Sequence, residues 1–289
     1  MKKMLYILMM VVSLCMAGCV DDGPEMPDGP MPLVVEGWIE EGLAPVVMVT
    51  RAVDLTTDTA SFDGFVEKWA RVSIYDGDER YVLTGSVNRD YMPPFIYTSS
   101  RLRGQTGHTY RLVVETESDT VEAETTMLPS PSISRIECKP VAGSDSLYSL
   151  VAYVDGVESG GYYKFFSRTI GLESRYYGTF LGTFSAEAYD GEKGWVITRG
   201  VHSGYDNESK FSHYFSEDAL VSVNISAIDG RLYDFWNAYD SNVSLSQNLL
   251  FTFAGNCPTN IRGGLGYWAA YASNRRTVRI VRPDGRGGR

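Results

Sequence analysis

Short runs of alternating apolar and polar residues dominate the chain from Leu33 onwards. In one run, residues 71–75, Val72 and Ile74 alternate with polar neighbours, and an Asp-Gly-Asp turn follows. Another alternating run, residues 110–114, is separated from a third, residues 121–125, by a Glu-Ser-Asp turn. Successive side chains of a strand point to opposite faces, so this pattern predicts half-buried strands joined as hairpins. Their spacing is typical of a β-sandwich.

A proline-rich break, Leu128–Pro131, divides the pattern. Beyond it a helix is predicted over about residues 231–239, because Leu232, Phe235 and Trp236 share one face. Strands are predicted at residues 133–138, 149–154, 162–170, 195–198, 220–228 and 277–281. The sequence therefore predicts an all-β protein: a β-sandwich domain over residues 33–130, a β-rich C-terminal domain with one short helix over 131–282, and a disordered tail over 283–289.

The N-terminus has the pattern of a bacterial lipoprotein signal peptide over residues 1–18. Two lysines precede an apolar stretch from Met4 to Met16, and small residues stand directly before Cys19. The stretch is shorter than the roughly 20 residues that span a bilayer. We therefore expect cleavage before Cys19 and modification of its thiol and new amine with fatty acyl chains such as palmitate, which would anchor the protein in the outer-membrane lipid.

Residues 19–32 are rich in acidic residues, proline and glycine, which predicts a flexible tether. Asp21 and Asp22 lie close behind the lipidated cysteine and resemble a signal that exports lipoproteins to the outer face of the outer membrane. The alternative is that they belong to a polar spacer and carry no signal. We favour the export signal and expect a protein that faces the cell exterior.

The formal net charge of -10 argues against nucleic-acid binding, which normally requires a basic face. Of the four cysteines, only Cys138 and Cys257 lie in the predicted globular part. Export to an oxidising compartment permits a disulfide between them, but two unrelated buried thiols are equally compatible with the sequence.

The sequence contains no recognisable catalytic or metal-binding constellation. Its three histidines stand in no HExxH motif, no GxSxG nucleophile elbow occurs, and no carboxylates form an evident pair. Residues 264–269 match GxGxxA, but no helix is predicted to follow them, so we interpret them as a glycine-dense turn or a close backbone approach. We expect neither enzymatic activity nor a metal or other cofactor.

Aromatic residues are concentrated between Tyr162 and Trp195 and again near the C-terminus. An aromatic ring combines a flat apolar face with a polar rim, which suits ligand or partner contacts, although cross-strand packing is the commoner role. The candidates for ligand or partner contacts are Tyr176, Tyr177, Trp195, Tyr267 and Trp268.

Four stretches of the chain resemble the family known as domain of unknown function 4249. They are residues 33–39 (LVVEGWI), 70–76 (ARVSIYD), 102–112 (LRGQTGHTYRL) and 260–271 (NIRGGLGYWAAY). The resemblance implies an N-terminal immunoglobulin- or transthyretin-like sandwich and brings no catalytic residues. It also implies an outer-membrane lipoprotein, of a kind frequently encoded beside TonB-dependent receptors.

Together these features predict a surface-exposed, non-enzymatic lipoprotein that captures substrate for, or otherwise assists, a TonB-dependent receptor. The alternative is a fimbrial or adhesin-type lipoprotein subunit, which would require proteolytic maturation at a basic residue such as Arg51 or Arg71.

Overall fold

The computed structural model describes residues 31–52, 64–144, 146–200, 212–246 and 257–281. The predicted signal peptide, Cys19, Asp21, Asp22 and the tail over 283–289 lie outside the described residues, as does nearly all of the tether. From Pro32 onwards the described residues belong to one compact unit.

Among the described residues, eight strands precede the proline-rich break, and the predicted alternating runs form several of them. They are β1 (Leu33–Glu40), β2 (Val46–Arg51), β3 (Arg71–Asp76), β4 (Glu79–Val82), β5 (Thr84–Val87), β6 (Phe95–Thr98), β7 (Thr109–Glu115) and β8 (Thr120–Thr126). The two predicted turns connect β3 to β4 and β7 to β8 as antiparallel hairpins.

Nine further strands and a helix follow the break in the part of the chain that the structure describes. They are β9 (Ser132–Pro140), β10 (Leu147–Asp155), β11 (Tyr162–Thr169), β12 (Tyr177–Ser185), β13 (Trp195–Ile197), β14 (Phe215–Ser216), β15 (Leu220–Ile228), α1 (Gly230–Ser246), β16 (Leu265–Tyr271) and β17 (Asn274–Arg279). The predicted all-β class is confirmed, and the predicted helix forms but extends further, to Ser246.

The strands of the described residues form four sheets that pack as two sandwiches. Sheet 1 has the order β16-β1-β2-β6-β5 and sheet 2 the order β4-β3-β7-β8. Apolar side chains from these two sheets, including Val35, Ile74 and Leu112, share one core. Sheet 3 contains β9, β10, β13 and β14, and sheet 4 has the order β12-β11-β15-β17. Phe165 and Val223 of sheet 4 pack with Leu150 of sheet 3 in a second core.

Strand β16 joins the first sandwich although its residues fall within the range predicted for the C-terminal domain. It pairs with β1 in parallel, with Glu36 opposite Tyr267 and Glu40 opposite Tyr271. The glycine-dense segment, interpreted as a turn or a close backbone approach, is the start of a strand that approaches β1 closely. Gly266, with a φ of +98°, brings the backbone so close to β1 that a Cβ atom there would clash with the carbonyl oxygen of Val35.

Sheets 1 and 4 each have a second face that also contacts protein. A third apolar cluster joins Tyr267 and Tyr271 of sheet 1, Phe166 of sheet 4, and Phe235 and Trp236 of α1. The helix thus packs where the two sandwiches meet. The candidate site lies in this region.

Candidate functional site

A cavity of about 340 Å³ lies between the outer face of sheet 1, the outer face of sheet 4 and helix α1. This volume is at the lower end of the roughly 300–1,000 Å³ found for small-molecule pockets. Nine of its lining residues are aromatic: Trp38, Phe166, Tyr176, Tyr177, Phe235, Trp236, Tyr239, Tyr267 and Tyr271. The other described residues that line it are Glu36, Glu40, Arg175, Gly178 and Asn224.

Strand β1 supplies Glu36, Trp38 and Glu40 because its side chains alternate between two faces. The residues that alternate with them, such as Val35 and Ile39, are buried in the first core. On the neighbouring strand β16, the Tyr267 hydroxyl donates a hydrogen bond of 3.1 Å to Glu36 Oε1. Parallel pairing of β1 with β16 therefore places a carboxylate and a phenol side by side on the cavity wall.

Sheet 4 and the helix form the opposite wall. Phe166 of β11 and Asn224 of β15 are paired in register. The Phe166 ring meets Tyr271 edge-on at 4.8 Å between centroids. Trp236 of α1 donates through Nε1 to the Tyr271 hydroxyl at 3.2 Å. These contacts fix the rings from three elements, so the cavity has a defined shape before any ligand enters.

Arg175 precedes β12 and extends into a group of rings. Its guanidinium lies 4.7 Å from the ring centre of Tyr91, 4.8 Å from that of Tyr177 and 5.5 Å from that of Trp38. These distances are those of cation–π contacts. Within the described part of the chain, the buried Nε atom of Arg175 has no hydrogen-bond partner, and neither has the buried Oδ1 atom of Asn224.

The two carboxyl groups of the cavity have perturbed acidity. Burial raises the pKa of Glu36, and Arg175 and the hydrogen bond from Tyr267 oppose part of that rise. Burial also raises the pKa of Glu40. Arg275, which contacts the Oε2 atom of Glu40 at 2.9 Å, lowers this pKa but offsets only part of the rise. Both carboxylates thus face a guanidinium.

A buried ion pair lies beneath the cavity at Gly178. The Lys164 ammonium donates to the Thr179 carbonyl oxygen at 3.0 Å and lies 3.5 Å from Asp240 Oδ2 on α1. It also lies 4.4 Å from the ring centre of Trp236. Burial lowers the pKa of Lys164 to about 8, because the loss of hydration outweighs the attraction of Asp240. This pair attaches the helix to sheet 4.

Of the five predicted contact residues, Tyr176, Tyr177 and Tyr267 line the cavity. Trp268 does not: it points to the opposite face of sheet 1, is fully buried in the first core, and donates through Nε1 to the Tyr110 carbonyl oxygen at 2.9 Å. Trp195 also lies elsewhere and stacks on Phe184 at 4.6 Å. Both tryptophans have the packing role that aromatic residues commonly play in sheets.

The two cysteines for which the sequence permits a disulfide do not form one. Cys138 and Cys257 are free thiols. Cys138 packs against the core of the second sandwich, whereas Cys257 packs beside α1 and accepts a hydrogen bond from Asn242 at 3.4 Å. Because the two side chains belong to different clusters, they do not meet.

The sequence interpretation missed Glu36, Trp38, Glu40, Arg175 and Asn224. Only Trp38 gave a signal: it shares one side of its strand with Glu36 and Glu40, and a large aromatic residue is less usual than a glutamate on a face that meets only solvent. Arg175 and Asn224 carried no such signal, because their meaning depends on which strands come together.

Within the described residues, no group of three His, Cys, Asp or Glu side chains is placed to hold a metal ion. In the same part of the chain, no helix combines the length and apolarity needed to cross a bilayer. The cavity offers hydrogen-bonding groups among aromatic surfaces, which suits reversible binding of a small ligand.

Residues 23–277 match the family described as "Domain of unknown function (DUF4249)". The chain belongs to this family. No protein of curated function matches the sequence. Among solved structures, the chain is similar to the FN1–FN3 domains of chicken CNTN1, with 10% identity, a TM-score of 0.23, and coverage of 88% of this chain and 68% of that one. A two-domain fibronectin type III segment of chicken tenascin gives 13% identity and a TM-score of 0.21, covering 70% and 93% of the two chains.

Proposed function

We propose that this member of the family is an outer-membrane lipoprotein, exposed on the cell surface, that captures a small substrate for a TonB-dependent receptor without chemically altering it. The observation that carries the capture role is the aromatic cavity, in which the buried donor of Arg175 and the buried acceptor of Asn224 lack protein partners in the described chain. Buried polar groups are normally satisfied, so two unpaired atoms on residues that line a preformed aromatic cavity support a ligand site there.

The anchor and the receptor partner rest on other support. The lipoprotein signal before Cys19 and the acidic residues Asp21 and Asp22 favour lipid attachment and export. The family resemblance adds the association with TonB-dependent receptors. An acyl anchor and a tether over residues 19–32 would keep the cavity close to a receptor in the same membrane, which raises the effective concentration of captured substrate.

Lipid attachment is tested by labelling cells with radioactive palmitate and comparing the native chain with Cys19→Ala. The native chain should take up label and fractionate with the outer membrane, and Cys19→Ala should do neither. Cys138→Ala is the matched control and should behave as the native chain does. Label on Cys19→Ala would contradict the anchor.

The receptor role is tested by co-purification from outer membranes solubilised in detergent, with quantitative mass spectrometry of the retained proteins. A TonB-dependent receptor should be enriched with the native chain, and protease treatment of intact cells should remove the chain from the surface. Full protection from protease, together with no receptor enrichment, would reject both parts of the proposal.

The fimbrial alternative gains no support from the two proposed cleavage sites. Arg51 ends strand β2 and forms an ion pair of 2.5 Å with Glu67, and Arg71 begins β3 and pairs with Glu115 at 2.6 Å. Peptide bonds within paired strands are poor protease substrates, because cleavage requires local unfolding. We therefore keep substrate capture as the proposed function.

A further inference from the structure

We propose that the cavity binds a neutral ring that carries several hydroxyl groups, that is, a monosaccharide or disaccharide. This inference rests on the proposed capture function and names its ligand class. Three independent features of the cavity lead to it: the balance of charges, the pair of unsatisfied polar atoms, and the arrangement of rings.

The cavity and its edge hold two carboxyl groups and two guanidiniums. Glu36 and Glu40 stand opposite two guanidiniums, that of Arg175 within the cavity and that of Arg275 at its edge, 2.9 Å from Glu40 Oε2 and 4.9 Å from the ring centre of Tyr176. An anionic ligand would be repelled by the two carboxylates in a region of low dielectric constant. A cationic ligand would compete with Arg175 for the rings of Trp38 and Tyr177. A neutral ligand disturbs neither set of contacts.

The two unpaired atoms, on residues that line the cavity, favour a ligand that both donates and accepts hydrogen bonds. Arg175 Nε can only donate, and Asn224 Oδ1 can only accept. A hydroxyl group serves either atom, and a sugar presents several hydroxyls around one ring. A ligand that offered only acceptors, such as a carboxylate or phosphate, would leave Asn224 unpaired, which is costly in a buried site.

The ring surfaces supply the apolar half of the recognition. Phe235, Tyr239 and Tyr267 line the cavity and are not among the rings that Arg175 contacts. A pyranose has apolar C–H faces and a polar rim, so it matches aromatic walls with hydrogen-bonding groups at their edge. The volume of about 340 Å³ limits the ligand to a small one, which a monosaccharide or disaccharide satisfies.

The test measures binding to the full chain, solubilised in a detergent that contains no sugar, by intrinsic tryptophan fluorescence and isothermal titration calorimetry. The probes are glucose, galactose, mannose, N-acetylglucosamine, maltose and cellobiose, with glucuronate and glucosamine as charged counterparts of glucose. At least one neutral sugar should bind at least about tenfold more tightly than both charged sugars. Equal or tighter binding of a charged sugar, or binding of no neutral sugar, would overturn the ligand class.

Variants locate the binding. Asn224→Leu should weaken the best neutral sugar at least about tenfold, because it removes the buried acceptor. Should this variant fail to fold, Arg175→Lys provides the same test, since it keeps a positive charge but lacks the Nε donor. Trp69→Ala is the control: Trp69 is 94% exposed and lies away from the cavity, and its loss should leave affinity unchanged. Unchanged affinity in folded Asn224→Leu and Arg175→Lys would place the sugar elsewhere and reject the assignment.

The two proposals fail separately. Receptor enrichment without binding of any neutral sugar would reject the ligand class and leave the accessory function standing. Sugar binding in the cavity without receptor enrichment would support the ligand class and reject the receptor partnership.

Discussion

Lys164 shows how strongly a single side chain depends on its surroundings in this protein. Its ammonium group is fully buried and has Asp240 as its charged neighbour, together with a carbonyl oxygen and the face of Trp236. The folded chain lowers its pKa to about 8, whereas an unfolded chain leaves it near the ordinary value of 10.5. Between these two values the unfolded state binds more protons than the folded state, so the contribution of Lys164 to stability rises with pH.

We therefore predict a pH-dependent difference between the native chain and Lys164→Met. The free energy of unfolding of the native chain minus that of the variant should rise between pH 8 and 10.5, by at most about 3 kcal/mol. Urea unfolding followed by fluorescence across this range measures it. Lys193→Met, which alters an ammonium that is 84% exposed, should show no such rise, and a difference that stays flat for Lys164→Met would contradict the prediction.

Among the elements, the parallel pair β1–β16 determines both the first core and the cavity wall. Gly266 permits the pairing, because its φ of +98° is unfavourable for other residues and a Cβ atom would meet the Val35 carbonyl oxygen. Gly42 makes a suitable comparison: it also has a positive φ, of +74°, but open space surrounds the position of a Cβ atom.

Gly266→Ala should consequently destabilise the protein much more than Gly42→Ala. Backbone strain alone costs about 1–2 kcal/mol, which is what we expect for Gly42→Ala. The clash with β1 adds to this at Gly266, and we expect a loss of at least about 3 kcal/mol in the free energy of unfolding. Equal losses in the two variants, measured by urea unfolding, would show that β1 and β16 tolerate separation.

The elements also show what sequence alone can predict. Strands β3, β7 and β8 have one face in the first core and alternate in sequence, so local pattern was sufficient for them. Strand β16 was missed because Tyr267, Trp268 and Ala269 are all buried, one face in the core and the other at the cavity, so no alternation remains. The site could be predicted only in part. Composition suggested Tyr176, Tyr177 and Tyr267, but Glu36 and Asn224 line the cavity only because strands distant in sequence come together.

At the scale of the whole molecule, strand β16, which lies late in the sequence, pairs with the first strand, β1. After β8 the chain builds most of the second sandwich and helix α1, then β16 completes sheet 1 and β17 completes sheet 4. Trp268 enters the first core directly over Gly37, and Asn260 holds its backbone through hydrogen bonds of 2.7 and 2.9 Å. The core of the first sandwich thus contains a large side chain that the N-terminal half does not encode.

This arrangement predicts that residues 32–130 do not fold alone. Without β16, strand β1 loses its partner on one edge and the core loses the Trp268 side chain. Removing one large aromatic side chain from a core costs about 3–5 kcal/mol. This is a large part of the about 5–15 kcal/mol by which proteins are typically stable. We expect poor dispersion in the amide NMR spectrum of this fragment and no cooperative urea transition.

Restoring the missing strand should reverse that defect. Residues 257–273, joined to the fragment by a flexible linker, can reach their place because Arg262 already lies beside Glu122 of β8, with backbone hydrogen bonds of 2.7 and 3.1 Å. The extended fragment should unfold cooperatively, and its Trp268→Ala variant should be markedly less stable. A cooperative transition of residues 32–130 without the added strand would show that the first sandwich is autonomous, and that β16 serves mainly to form the cavity wall.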